Sequence, residues 1–254
     1  MNDKLKMTKG GNIIEVRNLV KNFGGVYAVN NLSLKIPRGK VVSIIGPNGS
    51  GKSTLINLLS GMVEINSGVV IFNDAEKLKK IKPFEIQDLS ITRTFQEVRL
   101  FEQMTVIDNL LVVLTKRSVF GSFFEVHKKY HLEEAEKMLQ RVGLEAKKNQ
   151  LAKNLSYGQR KLLEIARALL MKTEIYLFDE PFAGLFHAMI KTVSGIIKDL
   201  RKEGKTVILI EHNMDLIREL SDYVFVMDEG SLLAEGEPNS VLKKKSVIEA
   251  YLGK

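Results

Sequence analysis

The sequence predicts an α/β fold, and three observations carry that expectation. A glycine-rich turn, Gly46-Pro47-Asn48-Gly49-Ser50-Gly51-Lys52-Ser53, joins the apolar run Val41-Val42-Ser43-Ile44-Ile45 to the helical pattern Thr54-Leu55-Ile56-Asn57-Leu58-Leu59. Residues 175–178 and 207–210 are continuously apolar, as strands covered on both faces are. Between them, residues 188–202 read as a helix, which Gly204 ends.

The remaining elements follow in order. Residues 13–20 and 32–36 alternate like half-exposed strands, and residues 69–72 make a third short β segment. Together they suggest an antiparallel layer around the glycine turn. Residues 132–142 carry apolar side chains at helical spacing, beginning Leu132, Ala135, Met138 and Leu139. Leu162, Ile165, Ala166, Leu169 and Leu170 repeat the pattern in a helix after Gly158. Residues from about 97 to 156 therefore read as a mostly helical insertion in the α/β core. Asp228-Glu229-Gly230 turns a hairpin between residues 223–227 and 231–234.

Composition narrows the classes. At 254 residues and 44% hydrophobic, the chain suits one large domain or a core with an insertion. No apolar run approaches the roughly 18 residues of a membrane span, and the N-terminus lacks the apolar block of a signal peptide. A cytoplasmic location is the expectation. The absence of cysteine excludes disulfides and thiolate metal sites. The net charge of +8 is dispersed apart from Lys147-Lys148 and Lys243-Lys244-Lys245, and neither cluster has interleaved aromatics. That pattern favours a solvated surface, with no nucleic-acid partner expected.

The chemistry starts at Gly46. The spacing G-x-x-x-x-G-K-[ST] is that of a phosphate-binding loop. Its glycines let several N–H groups converge on one anion, and the following helix aims its positive end there. Lys52 adds a charge for the β- and γ-phosphates, and Ser53 a hydroxyl for Mg²⁺. The run Glu174-Ile175-Tyr176-Leu177-Phe178-Asp179-Glu180 is a buried strand ending in two carboxylates. Asp179 is assigned to magnesium, and Glu180 to general-base or water-orienting work. His212 ends a second such strand, where α/β sheets place their sites, and a neutral imidazole there can donate to a γ-phosphate oxygen. His127, His131 and His187 match no metal-ligand spacing and read as surface residues. Leu155-Ser156-Tyr157-Gly158-Gln159 opens a long helix, with Ser156 at the N-cap and Gly158 leaving backbone open. It is a second anion-binding helix terminus in one chain.

With these motifs in this order, the chain resembles the ATP-binding subunits of ABC transporters over nearly its whole length. Residues 46–53 match that family's Walker A loop and residues 175–180 its Walker B strand. Leu155 to Gln159 match its signature, more often Leu-Ser-Gly-Gly-Gln. Thr94-Phe95-Gln96 match its Q-loop and His212 its switch histidine. The resemblance implies a P-loop NTPase (RecA-like) core with an N-terminal antiparallel β layer and an inserted helical subdomain. The domain would span 12–254, with the core at 12–96 and 157–254, the subdomain at 97–156, and a flexible N-terminus at 1–11.

The resemblance also implies roles. Gly46, Pro47, Asn48, Gly49, Ser50, Gly51, Lys52, Ser53 and Thr54 would hold ATP, and Phe23 would stack on adenine. Ser53, Asp179 and Gln96 would serve Mg²⁺. Glu180, His212, Gln96 and Lys52 would carry the catalysis. Ser156, Gly158 and Gln159 would meet the nucleotide of an opposing subunit in a head-to-tail dimer. Partners would be integral-membrane permease subunits, a second ATPase subunit (identical or not) and a solute-binding protein. The chain would sit on the inner face of the cell membrane.

A narrower likeness is to importers of branched-chain amino acids. It rests on residues 93–101 and 104–111, on Tyr157 within the signature, and on the ending Val247-Ile248-Glu249-Ala250-Tyr251-Leu252-Gly253. Urea and amide importers and lipopolysaccharide-export ATPases are near relatives, and export is the alternative direction. One departure stands out. After Ala183-Gly184-Leu185 the family usually continues with Asn or Asp and then Pro, whereas this chain has Phe186-His187. Two readings follow: weakened turnover with ATP binding retained, as in a low-turnover nucleotide-dependent module, or a backbone that makes the needed contacts while Phe186 packs.

Overall fold

The computed structural model describes residues 11–114 and 129–252. His127, Gly253 and residues 1–10 of the expected flexible N-terminus lie outside the described residues.

The chain runs β1 (Asn12–Phe23), β2 (Val26–Pro37), β3 (Val41–Ile45), α1 (Lys52–Leu59), β4 (Ser67–Phe72), β5 (Glu76–Leu78) and β6 (Ile91–Arg93). It continues through α2 (Val106–Leu114), α3 (Lys129–Arg141), α4 (Tyr157–Leu170), β7 (Ile175–Asp179), α5 (His187–Lys202) and β8 (Thr206–Ile210). It closes with α6 (Met214–Leu220), β9 (Tyr223–Asp228), β10 (Ser231–Gly236), α7 (Pro238–Val241) and α8 (Lys245–Leu252). The α/β class follows, with one antiparallel sheet ordered β2-β1-β4-β5 and a second ordered β10-β9-β3-β8-β7-β6.

Two compact units divide these elements. The first comprises the chain through Ile91, Glu174–Asp179, and the chain from Ile197; the second comprises Thr92–Thr173 and Glu180–Ile196.

In the first unit β3, β7, β8 and β9 pair in parallel, and each of β3, β7 and β8 is buried along its full length. Strands covered on both faces need no polar alternation, which is why these segments read as unbroken apolar runs. One core joins Ile14, Leu34 and Ile36 of the antiparallel layer to Leu55 and Leu58 of α1 and to Leu177, Ile208 and Phe225 of the main sheet. A second core, Ile45, Ile217, Val226, Val241 and Val247, holds α6, α7 and α8. Truncating a side chain such as Leu55 to alanine costs about 2–5 kcal/mol in such a core.

The antiparallel layer is longer than the sequence pattern suggested. Strands β1 and β2 are one hairpin turned by Gly24 and Gly25, whose φ angles are 54° and 93°. Irregular register between Val16 and Asn22 breaks the two-residue alternation there. Asn18 and Asn31 take left-handed backbone at φ 49°, and the Asn18 side-chain amide donates to Asn31 Oδ1 at 2.9 Å. Bulged strands lose the period on which their recognition depends.

The second unit is mostly helical. Helix α2 sets Val106, Leu110 and Leu111 into the interior, α3 adds Ala135 and Leu139, and α4 adds Leu162, Leu163 and Ala166. Ahead of α2 the backbone of 102–106 pairs with 150–153: Ala152 N donates to Met104 O at 3.0 Å and Val106 N to Gln150 O at 2.9 Å. Asn109 is fully buried and ties this segment down. Its Oδ1 accepts from Phe101 N at 2.9 Å, and its Nδ2 donates to Phe101 O and Thr105 O at 3.0 and 2.9 Å.

Candidate functional site

In the first unit β3 lies between β8 and β9 and delivers the chain into the glycine turn. Gly46 and Gly51 have φ angles of 151° and 98°. A Cβ would come within 2.1 Å of Met227 O at Gly46 and within 2.1 Å of Ala28 O at Gly51. Only glycine fits either position. Gly51 starts α1 without a side-chain cap, and the first turn of α1 holds no acid. Its leading amides therefore keep donor capacity for an anion.

Lys52 is buried and folds back over the turn, its Nζ donating to Gly46 O and Pro47 O at 2.9 Å each. Phosphate oxygens are stronger acceptors than carbonyls, so the ammonium has a reason to exchange partners. Asn48, Gly49 and Ser53 are exposed, Thr54 is half-buried, and Ser50 is buried. Ser50 O accepts from Gly230 N at 3.1 Å, and Gly230 O accepts from Asn30 N at 2.9 Å. The β9–β10 turn thus props the loop, a support that no motif in the chain signals. Phe23 ends β1 with 51% of its surface exposed and Lys21 Nζ 4.9 Å from its ring centre.

Asp179 is the last residue of β7 and is buried. His212 corrects an expectation. Strand β8 stops at Ile210, and His212 lies two residues beyond it, exposed. Side chains replace the strand ladder there. Glu211 accepts the His212 amide at 3.1 Å, and Asn213 caps α6 by accepting from Asp215 N and Leu216 N at 3.0 and 3.2 Å.

In the second unit Glu180 takes φ 48°, a left-handed angle uncommon outside glycine, directly before Pro181. Such a conformation costs about 1–3 kcal/mol and is kept where geometry matters. Gln96 Nε2 donates to Glu180 Oε2 at 3.4 Å, so two predicted catalytic side chains meet within this unit. Helix α4 opens with a capping box: Gln159 N donates to Ser156 Oγ at 3.4 Å and Ser156 N to Gln159 Oε1 at 3.1 Å. Gly158 was expected to leave backbone open. It is buried within its own chain, and a Cβ there would stand 2.8 Å from Sδ of the flexible Met189 side chain. Of the histidines expected at the surface, His187 is exposed, while His131 is half-buried beside Tyr130.

The family model described as ABC transporter matches residues 29–183. The chain belongs to the ABC transporter family. It is 38% identical over 250 residues to the high-affinity branched-chain amino acid transport ATP-binding protein LivG of Escherichia coli strain K12, covering 95% of this chain and 98% of that one. Identity to the corresponding BraF protein of Pseudomonas aeruginosa is 39%, with the same coverage. A crystal structure of the ADP conformation of an ABC transporter cassette superimposes with a TM-score of 0.82 at 34% identity, covering 97% of this chain and all of that one. A dimeric cassette in a post-hydrolysis state with ADP and Pi gives 0.78 at 26% identity, covering 89% and 98%. The protein is thus an ATP-binding cassette of the P-loop NTPase fold and an ATPase by family.

The cassette's Phe186-His187 departure has a definite geometry. The Phe186 carbonyl starts α5, accepting from Met189 N and Ile190 N at 2.9 and 3.0 Å. Phe186 is 76% exposed within its own chain. Tyr157, the signature's other oddity, lies against Gly184, where a Cβ would sit 2.9 Å from the ring.

Proposed function

We propose that this cassette binds and hydrolyses Mg·ATP as one of a pair of ATPase subunits and so energises uptake of branched-chain amino acids, or related amino acids and amides, through a membrane permease. The cargo reading rests on 38–39% identity, over 95% of the chain, to proteins named for branched-chain amino acid transport.

The roles follow from the side chains. The turn amides of residues 46–51 and the start of α1 bind the phosphates, and Lys52 trades its two carbonyls for phosphate oxygens. Phe23 offers an exposed ring to adenine. The Ser53 hydroxyl, the Asp179 carboxylate and the Gln96 side chain supply the oxygen donors that Mg²⁺ prefers. The ion, when bound, offsets charge on the phosphates. Glu180, bridged to Gln96, accepts a proton as the attacking water bonds to the γ-phosphorus and the bond to the ADP oxygen breaks. His212 donates to a γ-phosphate oxygen. The first turn of α4, with Ser156, Gly158 and Gln159, serves the nucleotide of the partner subunit.

Within the 12–254 domain, we assign contact with the permease to the second unit, in which the expected 97–156 subdomain falls. No helix among the described residues is long and apolar enough to cross a membrane. Attachment to the inner face of the membrane would therefore come through permease subunits, with a solute-binding protein completing the importer. Mild-detergent purification of the tagged chain from its native membranes, followed by mass spectrometry, tests the reading. Two permease subunits and a second short ATPase are expected. A lipopolysaccharide-export assembly would reverse the direction of transport, and absence of any membrane protein would refute a transport role.

A further inference from the structure

Four residues of α4 reach the chain just after the sixth strand. Tyr157, Lys161, Glu164 and Arg167 follow each other at helical spacing. Tyr157 Oη and Lys161 Nζ both point to the Gln96 carbonyl at 3.5 Å. Glu164 Oε1 accepts from Phe95 N at 3.4 Å and from Arg99 N at 3.3 Å. The Arg167 guanidinium donates to Arg99 O. The Phe95 ring carries the guanidinium groups of Arg93 and Arg99 4.8 and 4.0 Å from its centre.

Glu164 is the unexpected member. It is only 2% exposed, and its second oxygen has no hydrogen-bond partner among the described residues. A buried carboxylate is costly, and an apolar residue would suit a helix interior better. What the carboxylate gains is two amides that flank Gln96 on either side in sequence. Individually these bonds are long, but they converge on one five-residue segment.

We propose that Glu164 is a positioning residue that fixes the 95–99 segment and thereby aims the Gln96 side chain at Glu180. This rests on Gln96 serving hydrolysis, as proposed above. It also ties the signature helix to the Gln96 loop inside one subunit, with Tyr157 reaching Gly184 from the same face.

The test uses the full chain with Mg·ATP, following turnover, KM and nucleotide affinity. Glu164→Gln keeps an acceptor oxygen for both amides and should hold kcat within about threefold. Glu164→Met keeps the volume and removes the acceptor. It should lower kcat by about tenfold to a hundredfold through misplacement of Gln96, with KM and ATP affinity unchanged. In a Gln96→Ala background the Met substitution should add less than about twofold, because the two act through one group. An unchanged kcat in folded Glu164→Met, with Gln96→Ala inactive, overturns the positioning role alone. An unchanged kcat in Gln96→Ala overturns the reading of Gln96 and this inference with it. Should the Met variant fail to fold, the Gln variant decides: a loss of kcat matching that of Gln96→Ala overturns the proposal, and retained kcat with amide-exchange protection at Phe95 and Arg99 supports it.

Discussion

The two units build their loops by different means. The 46–51 turn is made of backbone: glycines at φ 151° and 98°, carbonyls on Lys52, and a prop from Gly230. The 95–101 segment is made of side chains: Glu164, Tyr157, Lys161 and Asn109 grip it from two helices. A backbone loop presents fixed donors and binds. A loop held by side chains can change its arrangement when those contacts change, as the role in hydrolysis proposed for Gln96 requires.

The backbone-built turn is most vulnerable at Gly51. Gly51→Ala forces a Cβ against Ala28 O at a positive φ and should lower ATP affinity by about a hundredfold or more, read by equilibrium binding. Next is Lys52→Ala, which removes charge-assisted phosphate contacts of about 1.5–3 kcal/mol, so affinity should fall about tenfold to a hundredfold. Asn109→Leu tests the other style of loop. It strands the Phe101 amide and should cost about 1–3 kcal/mol of stability in denaturant unfolding. The intrinsic phosphate contacts of the 46–51 turn should be unchanged where the protein stays folded. Phe186→Asn with His187→Pro should raise steady-state phosphate release severalfold, and an unchanged rate would separate the exposed ring from turnover.

The smallest effect is a pH dependence. Burial pushes the Glu164 carboxyl up, against the lowering pull of the Arg99 and Phe95 amides and of the Arg167 and Lys161 charges. A carboxyl whose pKa is raised by folding binds its proton more tightly when folded. Its favourable contribution is present at low pH and is lost as pH rises through the folded pKa. Glu164→Gln, which does not titrate, should therefore gain stability relative to the parent between acid and neutral pH. A gap that stays constant with pH would show that Glu164 does not titrate as its burial implies.

How much of this was legible depended on whether the chemistry forces residue types. The 46–53 loop was readable because phosphate binding needs glycine, lysine and serine at set spacing, and the buried strands because two covered faces leave no place for polar side chains. The β1–β2 hairpin was half-read, since its bulges erase the alternation. Glu164 and Asn109 were missed because any helix face carries such residues, and only the tertiary partners give them a task. Gly158 was recognised as special, but its contact with Met189, thirty-one residues on, was not, because only the tertiary fold brings that side chain to within 2.8 Å of where a Cβ would stand.

The measurement that bears most directly on this division is made on Glu180→Gln, with ATP affinity and phosphate release followed in one sample. Affinity at or above that of the parent, with phosphate release down by about a hundredfold or more, is the predicted result. Release at the parent rate would contradict the assignment of hydrolysis to Glu180 and its Gln96 neighbour.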